Sequence, residues 1–183
     1  ILQERAVRLI QFGNAGGGAL YSLRTVSSEL GSVGQRSCVS YDGAIYWLAT
    51  DGFRQFTLGG GIKTIGAGKI DQWFLDRVSQ SDFELLEGAA DPFNKIIWWR
   101  WKRASGTSDT VFDDLIGFSW QWNRWVTATV ETSALFRLAT PGIAVDDYDV
   151  EVDSTDLPVD DRFWQGGQPI FAILDDTYKV AFM

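Results

Sequence analysis

The hydrophobic and polar positions between Tyr41 and Phe56 predict a β-strand with a tight turn on each side. An apolar run, Ala44 to Ala49, is bracketed by Asp-Gly pairs at positions 42–43 and 51–52. Asp-Gly between apolar segments is a strong hairpin signal, because tight turns need positive φ angles that glycine adopts without steric cost. The stretch therefore predicts one strand and the beginning of each of its antiparallel neighbours.

The segments around this stretch extend it into an antiparallel meander. Four predicted strands follow one another with very short connections: 36–41, 44–49, 52–58 and 62–65. Strands joined so tightly pair with their sequence neighbours in the antiparallel sense. Upstream, two further strands are predicted on either side of a glycine-rich connection, at 5–12 and 20–26. That connection lacks the Gly-Lys-Ser/Thr of a nucleotide-binding loop.

Residues 69–80 interrupt the strand pattern and predict a short amphipathic helix. Ile70, Trp73, Phe74 and Val78 recur at helical spacing, and the charged residues lie mostly on the opposite side. We expect this helix to lie on the edge of the sheet structure, with its apolar stripe in the core.

The strand pattern then restarts with a second set of four predicted strands: 83–88, 95–102, 111–121 and 124–130. Asp91-Pro92-Phe93-Asn94 is a typical turn sequence, because proline fixes φ while Asp and Asn tolerate tight backbone. The strand that follows this turn carries large apolar groups on both faces, with Ile96, Trp98 and Arg100 on one and Ile97, Trp99 and Trp101 on the other. We expect it to lie between two layers.

A third set of strands begins at Ser133, is interrupted by a long acidic insertion, and continues at 168–174 and 178–182. The three sets start near residues 36, 82 and 133, which is close to the period of about 40 to 50 residues typical of propeller blades. The sequence thus predicts an all-β protein with blade-like units at about 36–67, 82–131 and 133–183. We expect the blades to belong to a larger propeller ring, with a β-sandwich as the alternative.

The chain is expected to form a single β-rich domain over residues 1–183. It begins at Ile1 and ends after KVAFM within a predicted sheet, so we expect a fragment of a longer polypeptide. Residues 1–12 do not resemble a signal peptide, because charged residues interrupt them. No apolar run approaches the roughly 18 residues that cross a bilayer.

Charge and composition exclude several classes of function. The formal net charge is −8, which argues against a basic surface that grips nucleic acid. The chain has no histidine, so Ser-His-Asp and Cys-His catalytic sets and the usual zinc sites are excluded. Cys38 is the only cysteine, so an intrachain disulfide is impossible, and its apolar setting predicts a small core residue.

The carboxylates are the only candidates for acid–base chemistry or cation binding. They are densest between Asp146 and Asp161, where a calcium loop would need a sharp glycine turn and a closing Glu at fixed spacing. Neither requirement is met, so a solvated loop is favoured over a cation site. A glycosidase would need two facing carboxylates, but Asp42, Asp51 and Asp91 are better explained as turn residues. We therefore predict no catalytic, cofactor-binding or metal-ligating residue.

The nine tryptophans allow two interpretations. Exposed indoles can stack on sugars, which would suit a lectin-like or receptor-binding propeller, whereas buried indoles would be core residues. The burial of seven of them distinguishes these readings: Trp47, Trp98, Trp99, Trp101, Trp120, Trp122 and Trp125. The Arg-aromatic segments WWRWKRA and WNRW are also similar to single-strand nucleic-acid platforms, but few basic residues cluster there.

Residues 5–130 contain sequence segments that occur in the same order in a known group of proteins. These are RAVRLIQF, YSLRTVSSELGSVGQRSCVSYDGAIYWLATDGFRQF, KTIGAGKIDQWF, ADPFNKIIWWRW and LIGFSWQWNRW. Together they resemble propeller-containing virion structural proteins of short-tailed bacteriophages, of the tail nozzle, tail tubular or packaged-DNA stabilisation type. The segment FSWQWNRW departs mildly from the aromatic-Asn-Trp pattern of that group, and the acidic insertion matches none of it.

The resemblance implies a structural role in the virion without chemistry or cofactors. Several copies would form a ring around a channel, in contact with other tail or connector proteins. Duplex DNA would pass through this channel without specific binding. No membrane partner is expected. An acidic chain suits such a channel, since a wall rich in Lys and Arg would bind phosphates and slow DNA ejection. The alternative is a carbohydrate-binding propeller.

Overall fold

Antiparallel strands dominate the computed structural model, which describes residues 1–15, 19–104, 112–139, 169–175 and 177–182. The N-terminal hairpin contains β1 (Val7–Ala15) and β2 (Ala19–Ser27). The first sheet contains β3 (Val39–Tyr41), β4 (Ala44–Ala49), β5 (Gly52–Thr57) and β6 (Gly61–Thr64). The second sheet contains β7 (Glu87–Asp91), β8 (Ile96–Trp101), β9 (Phe112–Ser119) and β10 (Arg124–Thr132). The third sheet contains β11 (Ala134–Ala139), β12 (Pro169–Leu174) and β13 (Val180–Phe182).

Each sheet is a meander in which sequence neighbours are hydrogen-bonded neighbours. The strand orders are β3-β4-β5-β6 and β7-β8-β9-β10, and every pairing is antiparallel. The third sheet has the order β11-β12-β13 among the residues that the structure describes. The prediction of an all-β chain built from four-stranded antiparallel meanders is therefore confirmed.

The turns of the first sheet form where the Asp-Gly pairs predict them. Asp42 and Gly43 have φ angles of 50° and 71°, in the left-handed region that favours Gly, Asn and Asp. In the second sheet, Asp91 Oδ1 accepts hydrogen bonds from the backbone N–H groups of Phe93 and Asn94, at 3.0 and 3.1 Å. These aspartates shape turns, as expected from the sequence.

Several predicted boundaries are wrong; the strand expected over 5–12, for example, is β1 (Val7–Ala15). The helix expected over 69–80 is only α1 (Asp71–Leu75), and the strand expected over 36–41 begins at β3, after a 3-10 turn at Gln35–Ser37. The strand expected over 83–88 is replaced by a 3-10 helix, Gln80–Leu85, and β7 follows it. Side chains three residues apart share one face of a 3-10 helix. This geometry buries Phe83 and Leu86 in one cluster, which a strand alternation would not do.

The second sheet lies between the first and the third, and its two faces belong to different cores. Ile97, Trp99 and Trp101 pack with residues of the first sheet and with Phe74 of α1. Trp98 on the opposite face packs with the third sheet. This arrangement confirms both the predicted assignment of β8 side chains to two faces and the prediction that β8 lies between two layers.

Two of the three indoles of β8, those of Trp98 and Trp99, fit because glycines face them on the neighbouring strands. Gly88 of β7 pairs with Trp99, and Gly117 of β9 pairs with Trp98. A Cβ atom at Gly88 would lie 2.7 Å from the Trp99 ring, and one at Gly117 would lie 2.8 Å from the Trp98 ring. Both positions therefore exclude any side chain, which explains glycine within these strands.

Indole N–H groups connect the sheets to the segments packed against them. Trp99 Nε1 donates to the carbonyl oxygen of Ser37 at 2.7 Å, and Trp125 Nε1 donates to that of Ile65 at 3.1 Å. Both bonds join the second sheet to segments flanking the first sheet. Buried Trp98 Nε1, by contrast, has no hydrogen-bond partner within the described part of the chain.

The first strands of the three sheets lie side by side, since β7 contacts both β3 and β11. The N-terminal hairpin packs on the other face of the first sheet, where Val7 and Val26 meet Trp47. The order of layers is therefore hairpin, first sheet, second sheet, third sheet, which is also the order in the chain.

Buried Asp71 attaches α1 to the first sheet. Its Oδ1 atom accepts a hydrogen bond from the backbone N–H of Phe53 at 3.1 Å. The carboxylate lies so close to Gly52 and Gly66 that a Cβ atom at these positions would be 2.2 and 1.8 Å from its oxygens. Burial raises the pKa of the Asp71 carboxyl, against the opposing effects of the Phe53 hydrogen bond and the Arg54 charge.

The substitution Trp99→Phe should destabilise the fold more than Trp98→Phe. Both remove a similar volume from a buried site, but only the first leaves a buried carbonyl oxygen, that of Ser37, without its donor. We expect the loss of unfolding free energy to be about 1 to 3 kcal/mol larger for Trp99→Phe, measured by urea denaturation. Equal losses would show that this bond contributes little.

The substitution Asp71→Asn should change how stability depends on pH. The Asn side chain keeps the oxygen acceptor for Phe53 but does not titrate. Because the pKa of Asp71 is raised in the folded state, the unfolded chain ionises first as the pH rises. The unfolding free energy of the unmodified protein should therefore fall relative to that of the variant as the pH rises from about 4 to 7. Parallel curves in urea titrations at several pH values would contradict this.

Candidate assembly surface

The N-terminal hairpin exposes a continuous row of apolar side chains. Ile10 and Leu23 face each other across the two strands, as do Phe12 and Tyr21. Their relative exposures are 46% and 56% for the first pair, and 73% and 66% for the second. The rings of Phe12 and Tyr21 meet edge to face, with their centroids 5.6 Å apart. We call these four residues the hairpin face.

Strand alternation explains why this row is exposed. Val7 and Val26 point to the first sheet and anchor the base of the hairpin, so residues of opposite parity along each strand point away from it. A two-stranded hairpin is marginally stable by itself, and contiguous exposed apolar surface commonly marks an interaction site. The hairpin face is therefore the strongest candidate for a binding surface in the described part of the molecule.

The hairpin is basic, in contrast to the acidic chain as a whole. Its two strands contain Arg8 and Arg24 and no acidic residue. Arg24 is exposed and lies across from Leu9 in the strand register. By strand alternation Arg24 lies on the face turned toward the first sheet, and Arg8 is the arginine that shares the parity of Ile10 and Phe12.

The third sheet ends the stack with a second apolar surface. Leu135, Phe171 and Ile173 point to the second sheet, so the alternating residues of the same strands point outward. Ala172 on the outward side is fully buried, whereas five outward residues of this sheet, including one on the adjoining strand β13, are partly exposed or exposed: Phe136, Leu138, Ile170, Leu174 and Val180. We call these five the outer face of the third sheet.

The other residues singled out from the sequence do not converge on a site. Asp51 forms an ion pair with Arg54 next to its turn, while Asp42 and Asp91 shape other turns. The acidic insertion between Asp146 and Asp161 lies outside the described residues. Among the residues that are described, no group of three or more His, Cys, Asp or Glu side chains is placed to hold a metal ion.

The prediction that Cys38 is a core residue is wrong, because its side chain is exposed. Ser37 and Val39 on either side of it are buried. Alternation along the chain directs Cys38 away from the core that these neighbours face. The apolar setting of Cys38 in the sequence indicated burial of the segment but not which parity faces inward.

Most of the seven tryptophans that could have stacked on sugars are buried instead. Four of them are buried, namely Trp47, Trp98, Trp99 and Trp101, and two more, Trp120 and Trp125, are partly buried. Trp122 alone among the seven is exposed, at 70%, in the turn before β10. Sugar binding thereby loses its main support, since repeated exposed indoles were the feature that suggested it.

The hairpin face was not identified from the sequence as a candidate surface. The sequence does indicate an apolar surface there, because each strand carries apolar residues on both of its faces: Leu9 with Ile10 and Phe12 on one strand, and Leu23 with Val26 on the other. Such a strand has an apolar group on each face, but the sequence does not show that only one face is covered.

The described helices contain no segment that is long and apolar enough to cross a membrane. Comparisons with known proteins add no assignment: no family model matches the chain, and no similar curated protein is found.

Proposed function

We propose that this protein is a non-enzymatic structural component of a bacteriophage virion, of the tail nozzle or tail connector type. The observation that carries the proposal is the stack of β-sheets, which exposes the hairpin face at one end and carries partly exposed apolar residues at the other. Surfaces of this kind suit a protein whose role lies in contacts with other subunits. The resemblance of residues 5–130 to phage tail proteins supplies the biological setting.

The packing of the sheets is consistent with blades of a propeller. Each four-stranded meander packs face to face with the next, and the first strands β3, β7 and β11 are neighbours. Propeller blades pack in this way around an axis that their first strands approach. In the proposed assembly, such blades form the rigid wall of a ring, and the loops contact adjacent subunits.

The acidic composition supports a passage for DNA that does not retain it. A net charge of −8 repels phosphates over the surface as a whole, and this favours sliding over binding. The proposed partner is duplex DNA that passes through the ring without sequence-specific contacts, together with other virion proteins.

Antibodies raised against the purified chain should label the tail, or the junction of head and tail, of phage particles produced by cells that carry the gene. Immunogold electron microscopy measures this, and pre-immune serum is the control. Particles without label, or label confined to host structures, would contradict the proposed function.

The purified protein should also show little affinity for duplex DNA. Because the chain is acidic overall, we expect no retardation of a random-sequence duplex in gel-shift assays at about 0.15 M salt. Tight binding that weakens steeply with salt would reveal a basic surface and would contradict a non-retaining channel.

A further inference from the structure

We propose that the turns at one end of the second sheet bind single-stranded nucleic acid. The binding surface is formed by two exposed rings and four exposed cations, which come from four different segments of the chain. We call these six residues the turn patch: Lys69, Phe93, Lys95, Trp122, Arg124 and Arg137. The inference goes beyond the virion role proposed above and does not rest on it.

The strand register places the β7–β8 turn and the β9–β10 turn side by side. Ile96 at the start of β8 pairs with Ser119 at the end of β9, and Ser119 pairs with Arg124 at the start of β10. The backbone N–H of Trp120 then donates to the carbonyl oxygen of Lys95 at 3.3 Å. The two turns therefore leave the sheet at the same end and are joined by a hydrogen bond.

Each of these two turns presents one aromatic ring to solvent. Phe93 is 62% exposed in the first turn, and Trp122 is 70% exposed in the second. Trp120, two residues before Trp122, is partly buried and packs on Tyr41 of the first sheet, with the ring centroids 5.0 Å apart. The inner ring thus attaches the turn to the stack, while the two outer rings stay open to a ligand.

Two further segments bring cations to the same turns. Lys69, in the loop before α1, donates from Nζ to the backbone oxygen and to Oδ1 of Asn123, at 3.0 and 2.9 Å, across 54 positions of the chain. The guanidinium of Arg137 from β11 lies over the ring of Tyr41, 6.0 Å from its centroid, and Tyr41 in turn contacts Trp120. Together with the lysine and arginine of the turns themselves, four exposed cations lie around the rings.

The acidic residues of the adjoining turns offset these charges only in part. Asp91 is buried, and its oxygens accept hydrogen bonds from the backbone N–H groups of Phe93 and Asn94 and from Asn94 Nδ2. Asp42, which follows Tyr41, is exposed. In these turns, four exposed cations therefore outnumber one exposed carboxylate, although the chain as a whole has a net charge of −8.

The combination of rings and cations selects the ligand. A single strand offers unpaired bases, which stack on aromatic side chains, and phosphates, which pair with Lys and Arg. An acidic peptide offers negative charge without a base to stack. A duplex hides the faces of its bases and can meet the turn patch only through its phosphates, a contact that salt screens. The inference therefore agrees with the weak duplex binding expected above.

Fluorescence anisotropy of the full chain with a labelled oligothymidine of about 12 nucleotides, at about 50 mM salt, tests the stacking. Trp122→Ser should weaken binding about tenfold, because one base loses its stacking partner. Trp122→Phe keeps a ring and should retain more of the affinity. Tyr178→Ser is the matched control, since it removes an exposed ring from the turn before β13 and should leave binding unchanged.

The salt dependence of binding tests the cations. Each phosphate contact of a single strand contributes about −0.7 to the slope of the logarithm of the association constant against the logarithm of salt concentration. Lys69→Gln and Arg124→Gln should each make this slope shallower by about 0.7. Arg36→Gln removes an exposed cation outside the turn patch and should leave the slope unchanged. Circular dichroism verifies that each variant is folded.

Four results would overturn the inference: no binding of the oligothymidine at the highest soluble protein concentration, unchanged binding by Trp122→Ser, a duplex of the same length that binds as tightly, or poly-L-glutamate that displaces the oligothymidine as well as an unlabelled single strand does. These results are independent of the virion labelling. A chain that labels phage tails but does not bind the oligothymidine would refute the turn patch alone. A chain that binds it as expected but labels no particle would refute the virion role alone.

Discussion

The structure depends on the burial of both faces of β8. This strand places Trp99 toward the first sheet and Trp98 toward the third, and each large aromatic side chain can remove about 150 to 250 Å² from water. A strand with this composition cannot face solvent on either side, so a layer on each side is a condition of folding. The adjacent strands accommodate the rings with Gly88 and Gly117, which leave the space that a Cβ atom would fill.

The sheets of this molecule cannot cover every apolar face of the stack by themselves. Each added sheet covers one apolar face and presents another, until a polar face or a partner closes the series. Here the N-terminal hairpin and the third sheet close the described stack, and both still carry apolar residues on the outside. The same physical rule that orders the interior therefore makes the hairpin face a candidate for contacts outside the molecule.

Much of the architecture could be predicted because its signals are local. Asp42-Gly43 and Asp91 specify turns through the backbone angles and hydrogen bonds of a few adjacent residues, and the alternation of β8 assigned its side chains to two faces. Predictions were wrong where two local patterns compete. The segment around Phe83 satisfies both a strand and a 3-10 helix, and burial of Phe83 and Leu86 in one cluster decides for the helix.

The sequence by itself determined the fold class, the meander order and the two-sided burial of β8, since each depends on turn chemistry and strand periodicity. Only the tertiary structure decided which apolar residues stay exposed. Alternation assigns residues to faces, but it does not state which face another layer covers, so Cys38 was placed on the wrong side and the row from Ile10 to Leu23 went unnoticed. The hydrogen bond between Trp99 and Ser37 likewise joins residues 62 positions apart, a proximity that no local pattern encodes.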